Sequence, residues 1–114
     1  MPRNARVFID DVPLHVIQRG NNRNACFLGT EDYAHYLECL RTAARRCKCA
    51  VHAYVLMTNH VHLLLSPARA ADVPVMMSSV AQKHAQYINW RYRRTGTVWE
   101  GRYRPRLFRA IRIC

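Results

Sequence analysis

A four-stranded antiparallel sheet carrying two helices on one face, in the ferredoxin-like α+β order β-α-β-β-α-β, is what these 114 residues predict. Three patterns carry that reading. Short runs from Pro13 to Arg19, Ala50 to Met57 and His60 to Ser66 have the length and apolar content of strands. Two longer segments, beginning near Thr30 and Asp72, repeat apolar residues at helical spacing. Only Thr58-Asn59 separates the second and third strands, so those two form a tight antiparallel hairpin.

The first strand alternates: Leu14, Val16 and Gln18 face one way, His15, Ile17 and Arg19 the other. Gly20 ends it, and Asn21-Asn22-Arg23-Asn24 reads as a polar loop. Thr30 is the expected cap of the first helix, with Glu31 and Asp32 in the first turn where the helix dipole favours acids. Tyr33, Tyr36, Leu37, Leu40 and Ala44 form its inner stripe, and Arg45, Arg46 and Lys48 close it. Asp72 caps the second helix with Pro74 in its first turn. Its inner face is expected to hold Met76, Met77, Val80, Ala81, His84, Tyr87, Ile88 and Arg91, and Arg94-Thr95-Gly96 ends it. A last extended stretch covers about Arg102 to Ala110. No linker long enough to divide the chain is present, so one domain over residues 1–114 is expected.

The net charge is +11, with pI near 10.2. Up to Asp72, nine basic residues face six acidic ones; beyond it, Lys83 and eight arginines face Glu100 alone. A field of that sign favours a polyanion, and arginine suits bidentate contact with phosphate. No apolar run could span a bilayer, and the N-terminus lacks a secretory signal, so a cytoplasmic, non-membrane protein is expected. Five cysteines in no paired framework read as reduced thiols without a nucleophilic role.

Chemistry concentrates in Thr58-Asn59-His60-Val61-His62. On a strand, His60 and His62 leave the same face while Val61 and Leu63 enter the other, so two nitrogens can converge on one divalent cation. Asn59 could hydrogen-bond behind them, although supplying the turn is its simpler role. His15 and His52, on neighbouring strands, read as structural histidines, and His84 as a packed core residue. Two basic segments complete the pattern. Arg19-Gly20-Asn21-Asn22-Arg23 offers amides for base edges and guanidiniums for backbone. Tyr87 to Arg104 interleaves aromatics with Arg91, Arg94, Arg102 and Arg104, which can clamp the phosphates of an unpaired strand.

The segments Val16 to Arg23, Ala53 to Leu64 and Asn89 to Arg104, in that order, resemble the single-tyrosine HUH transposases, especially the REP-associated and small insertion-sequence branches. The resemblance implies that His60 and His62 hold Mg²⁺ or Mn²⁺ against the scissile phosphate of single-stranded DNA. It implies a tyrosine nucleophile forming a 5′-phosphotyrosine, and recognition of hairpin or palindromic ends. A homodimer, common among the small insertion-sequence relatives, is a further expectation. The family's nucleophile lies on a helix after the last strand, and this chain's residues run only to Cys114. Tyr87, Tyr92 and Tyr103 precede that strand, and Tyr87 is the nearest substitute. Impaired strand transfer is therefore expected. Two other readings stay open, a non-catalytic nucleic-acid module or repressor and a metal-dependent phosphoesterase.

Overall fold

Alternation with a period of two sorts the sheet in the computed structural model, which describes residues 10–107. The elements are β1 (Leu14–Arg19), a 3-10 turn (Asn21–Arg23), α1 (Thr30–Arg46), β2 (Cys49–Met57), β3 (His60–Pro67), α2 (Asp72–Arg91) and β4 (Arg104–Leu107). The strands lie in the order β2-β3-β1-β4, all neighbours antiparallel, which is the expected α+β arrangement. In β1, Leu14, Val16 and Gln18 are buried; in β3, Val61, Leu63, Leu65 and Pro67 are. These inner faces meet Tyr36, Leu40 and Ala44 of α1 and Val73, Met76, Met77, Val80 and Ile88 of α2 in one core. Burial of each large side chain there contributes about 1.5–3 kcal/mol.

Several boundaries differ from expectation, each for a local reason. The cap of α1 is Gly29, not Thr30, because Asp32 reaches back to accept the N–H groups of Leu28 and Gly29, at 2.7 and 3.0 Å. Ala71 precedes α2 as its cap, so Asp72 is the first helical residue. The helix ends at Arg91, with Tyr92 as its C-cap, before the expected Arg94-Thr95-Gly96. Arg93 there takes a positive φ of 54°, which breaks the helical run. Arg91 is exposed and does not share the buried face of its helix. The last strand covers Arg104–Leu107; Arg102 and Tyr103 precede it outside the sheet, and residues 108–110 of the expected stretch lie outside the described residues. No helix among those residues is long and apolar enough to cross a membrane.

His84 is a core residue, fully buried against the rings of Phe27, Tyr36 and Trp99. Its Nε2–H donates to the Cys26 carbonyl at 2.9 Å, and its Nδ1 lies 3.4 Å from Nδ1 of His35. Burial pushes its pKa down to about 4, with the neighbouring His35 acting in the same direction. The unfolded chain therefore binds more protons than the folded one from the ordinary histidine value near 6.5 down to about 4. Stability should fall across that window as pH drops, by roughly 3 kcal/mol if His84 acts alone. Urea denaturation at stepped pH values checks this. His84→Leu should remove most of the slope, and an unchanged slope would show that another group causes it.

Candidate functional site

Directly paired residues of an antiparallel ladder share a sheet face. The register therefore assembles rows across the face away from the helices. One row runs Met57, His60, Arg19; the next runs Val55, His62, Ile17, Arg104; a third runs Ala53, Leu64, His15. His60 and His62 leave β3 together, with ring centroids 5.0 Å apart and planes inclined at 73°. Both are half-buried, so their free edges face solvent rather than the core.

Each ring is restrained from behind. Nδ1 of His60 lies 2.9 Å from Oδ1 of Asn59, whose Nδ2 donates to the Arg23 carbonyl at 3.4 Å. That orientation makes the amide oxygen an acceptor, so His60 donates from Nδ1 and presents Nε2 outward. Asn59 thus supplies both the turn and a support for the ring. Nδ1 of His62 lies 3.1 Å from Nε2 of His15, and the two rings are nearly parallel at 16°. The contact engages Nδ1 of His62, which leaves Nε2 as its outward-facing nitrogen. Burial lowers the pKa of His62, and the positive potential of His60, His15 and Arg19 lowers it further, which keeps its lone pair available. His15 therefore supports the pair, beyond the structural role its strand position alone predicts. The signal that could have found it is its odd-numbered place on β1, shared with Ile17 and Arg19. By contrast His52, beyond a register shift in β2, bonds Ser66 at 2.8 Å.

The segment after β1 is sewn to the tip of the β2–β3 hairpin. Gly20 N–H donates to the Asn59 carbonyl at 2.8 Å, and Cys26 N–H to that of Thr58 at 2.8 Å. A Cβ on Gly20 would strike the carbonyl oxygen of Asn24, so only glycine fits this crossing. The 3-10 turn then holds Asn21, Asn22 and Arg23 beside the hairpin, with Asn22 and Arg23 exposed. Arg19, also exposed, stands across from His60. Of the remaining arginines, Arg104 shares the row of His62, whereas Arg102 lies at an exposed bend before β4 and Arg94 is half-buried beyond α2.

Arg91 and Tyr87 belong to the opposite side of the molecule. Arg91 pairs with Glu31 at 2.9 Å and approaches Asp32 at 3.7 Å. The hydroxyls of Tyr87 and Tyr92 donate to the two oxygens of buried Asp32, at 2.9 and 2.8 Å. Burial pushes that carboxyl up, but the bonds from Leu28, Tyr92, Tyr87 and Gly29 together hold it below its ordinary value. The Tyr87 hydroxyl is raised by burial and by its bond to Asp32, the reverse of an activated nucleophile. The thiols are no readier. Burial pushes Cys26 up to about 12 and Cys49 to about 11.

Two imidazole nitrogens on one open face can take two positions of a divalent ion, leaving the others for oxygen ligands. Among the described residues no group of three histidine, cysteine or acidic side chains could hold a metal by itself. The pair fits an ion whose shell is completed by phosphate and water. It does not fit one enclosed by protein.

Comparison with known proteins gives a consistent picture. The family model for IS200-like transposases matches residues 9–107. No curated protein matches. Among solved structures, a REP-associated tyrosine transposase bound to a REP hairpin superposes with a TM-score of 0.75 at 15% identity, over 96% of this chain and 63% of that one. A candidate transposase from Deinococcus radiodurans R1 superposes with a TM-score of 0.69 at 18% identity, over 94% of this chain and 86% of that one. The chain thus spans less than two thirds of the hairpin-bound transposase, and at these identities the likeness is one of fold.

Removing the amide behind His60 should release its proton position. In Asn59→Ala, imidazole ¹⁵N spectra should change from a single His60 tautomer protonated at Nδ1 to a mixture, with the fold retained. A spectrum like that of the parent protein would show that Asn59 does not set the tautomer.

Proposed function

The chain belongs to the IS200-like transposase family, and from that membership we propose that it binds single-stranded or hairpin DNA across the open face of its sheet. His60 and His62 would bring one scissile phosphate and a divalent cation together there, poised for the family's strand cleavage and transfer, with the attacking group supplied by neither histidine nor Tyr87. The observation that carries the reading is the meeting, on one face, of two imidazoles restrained through Nδ1 with Arg19 and Arg104 in their own rows. Asn21, Asn22 and Arg23 flank the same site on a loop fixed to the hairpin. The hairpin-bound relative supports DNA as the partner class.

The side chains divide the work. Nε2 of His60 and of His62 would hold the ion, which when bound polarises the phosphodiester. Of Mg²⁺ and Mn²⁺, the nitrogen pair favours Mn²⁺, because Mg²⁺ prefers an oxygen shell. Asn59 and His15 fix the two rings, so little ordering is left for the moment of binding. Arg19, Arg23 and Arg104 hold phosphates, and exposed Asn22 offers an amide to a base. Tyr87 has no part in this scheme, because its hydroxyl is committed to Asp32 behind the sheet.

Two predictions separate ion from backbone binding. His60→Ala with His62→Ala should abolish Mn²⁺ binding, read by calorimetry, while changing single-stranded DNA affinity without metal by less than about threefold, since counterion release dominates that affinity. Loss of DNA affinity in a folded double variant would contradict the division of labour. Arg19→Ala and Arg104→Ala should each reduce the slope of log affinity against log salt by about 0.7, the value for one phosphate contact on a single strand. An unchanged slope would remove that arginine from the interface.

A further inference from the structure

Behind the end of β1, between α2 and residues 96–103, lies a groove of about 550 Å³ walled by Met77, Ala81, Trp99 and Arg102, with Gln18 among its lining residues. Gln18 is only 4% exposed, and its Oε1 has no hydrogen-bond partner. A buried carboxamide oxygen left without a partner is costly, and the other buried polar or charged side chains among the described residues, Asp32 and His84, both have partners. An apolar residue of the same length would fill the space without that cost. The carboxamide therefore points to a ligand that satisfies it.

We infer that this groove receives one unpaired base of the bound DNA and that Gln18 reads the edge of that base. The inference rests on the DNA-binding reading above and adds a specificity-determining site to it. Three observations favour a base over other occupants. A carboxamide offers an acceptor and a donor side by side, the complement of the adjacent donor and acceptor on a base edge such as that of adenine. The volume falls within the usual range of small-ligand sites, roughly 300–1,000 Å³. Arg102 at the exposed rim supplies the charge that the phosphate of the same nucleotide needs.

The groove is also joined mechanically to the imidazole face. Its wall is stitched to the strand and turn that flank His60: Glu100 N–H donates to the Arg19 carbonyl at 2.8 Å, and Asn21 N–H to that of Val98 at 2.9 Å. Gly20 and Trp99 form a bridge between the same segments. The Trp99 ring is fixed by its own bond from Nε1 to the Ala81 carbonyl at 3.0 Å, so the wall is ordered before a base arrives. A strand held by Arg19 can thus run along the imidazoles while one neighbouring base turns around the end of β1 into the groove. Because Oε1 is closed off from solvent in the unbound structure, reading the base requires Gln18 to change rotamer toward the groove.

Labelled decamers of oligo(dA), oligo(dC) and oligo(dT) test this in two ways. In the ¹⁵N-labelled parent protein, the Gln18 carboxamide and Trp99 indole signals should shift on adding the preferred decamer. Affinities should differ at least fivefold among the three decamers, and Gln18→Met should reduce the spread below twofold while leaving the salt slope unchanged. Shifts at Arg19 and His60 without any at Gln18 and Trp99 would overturn the groove as a base site and leave DNA binding intact. A base preference that survives Gln18→Met would overturn the role of Gln18, as would equal affinities in the parent protein, the result expected if water alone satisfies the carboxamide. Failure of every decamer to bind would instead contradict the proposed function itself, and the groove assignment with it.

Discussion

The commitment of Val61 and Leu63 to the core is the constraint from which the site follows. Both are buried against the helix layer, and a strand gives its neighbours no choice of side. His60 and His62 must then emerge together on the opposite face. A slip of one residue in the pairing of β3 would bury two imidazoles and expose two aliphatic side chains. The core therefore protects the geometry of the histidine pair without touching it. Stability and function are linked here through register rather than through any shared contact.

Restraint of the rings comes from polar groups drawn from three other segments. Asn59 connects the hairpin turn, the first imidazole and the carbonyl of Arg23 in one chain of hydrogen bonds. His15 reaches the second imidazole from the adjacent strand. The crossing at Gly20 lets the polar turn close against the hairpin tip. The basic and amide residues of that turn are consequently held beside the imidazoles, although about forty positions separate them in the chain. On the helix side, Asp32 gathers two tyrosines, two backbone amides and Arg91 into a separate network that anchors α1 to α2. The two faces carry unrelated tasks.

Much of this was legible in the sequence because it is local. Alternation in β1 and β3, the short Thr58-Asn59 connection and the helical stripes depend on neighbours only a few residues apart, and they suffice for the order and type of the elements. What depends on tertiary register was not legible. Alternation places His15 on the face of Ile17 and Arg19, but only the pairing of Ile17 with His62 brings it to the site. Arg91 falls at the right spacing for an inner face, but the cost of burying its charge and the presence of Glu31 turn it outward. α1 is capped at Gly29 rather than Thr30 because Asp32, three positions inside, reaches back to the amides of Leu28 and Gly29. Gln18 alternates correctly with Leu14 and Val16, yet nothing local reveals that its carboxamide oxygen would lack a partner.

The arrangement also separates affinity from chemistry. In the proposed function, arginines spread along one face would give binding that weakens with salt, whereas the imidazole pair would contribute position at a single phosphate. The most direct measurement is a crystal structure of this chain with Mn²⁺ and a single-stranded oligonucleotide, using the anomalous signal of the metal. The account predicts one strong peak within bonding distance of Nε2 of both His60 and His62, with a phosphate oxygen completing its shell. A peak bound elsewhere, or rings engaged through Nδ1 with their Asn59 and His15 contacts broken, would contradict it.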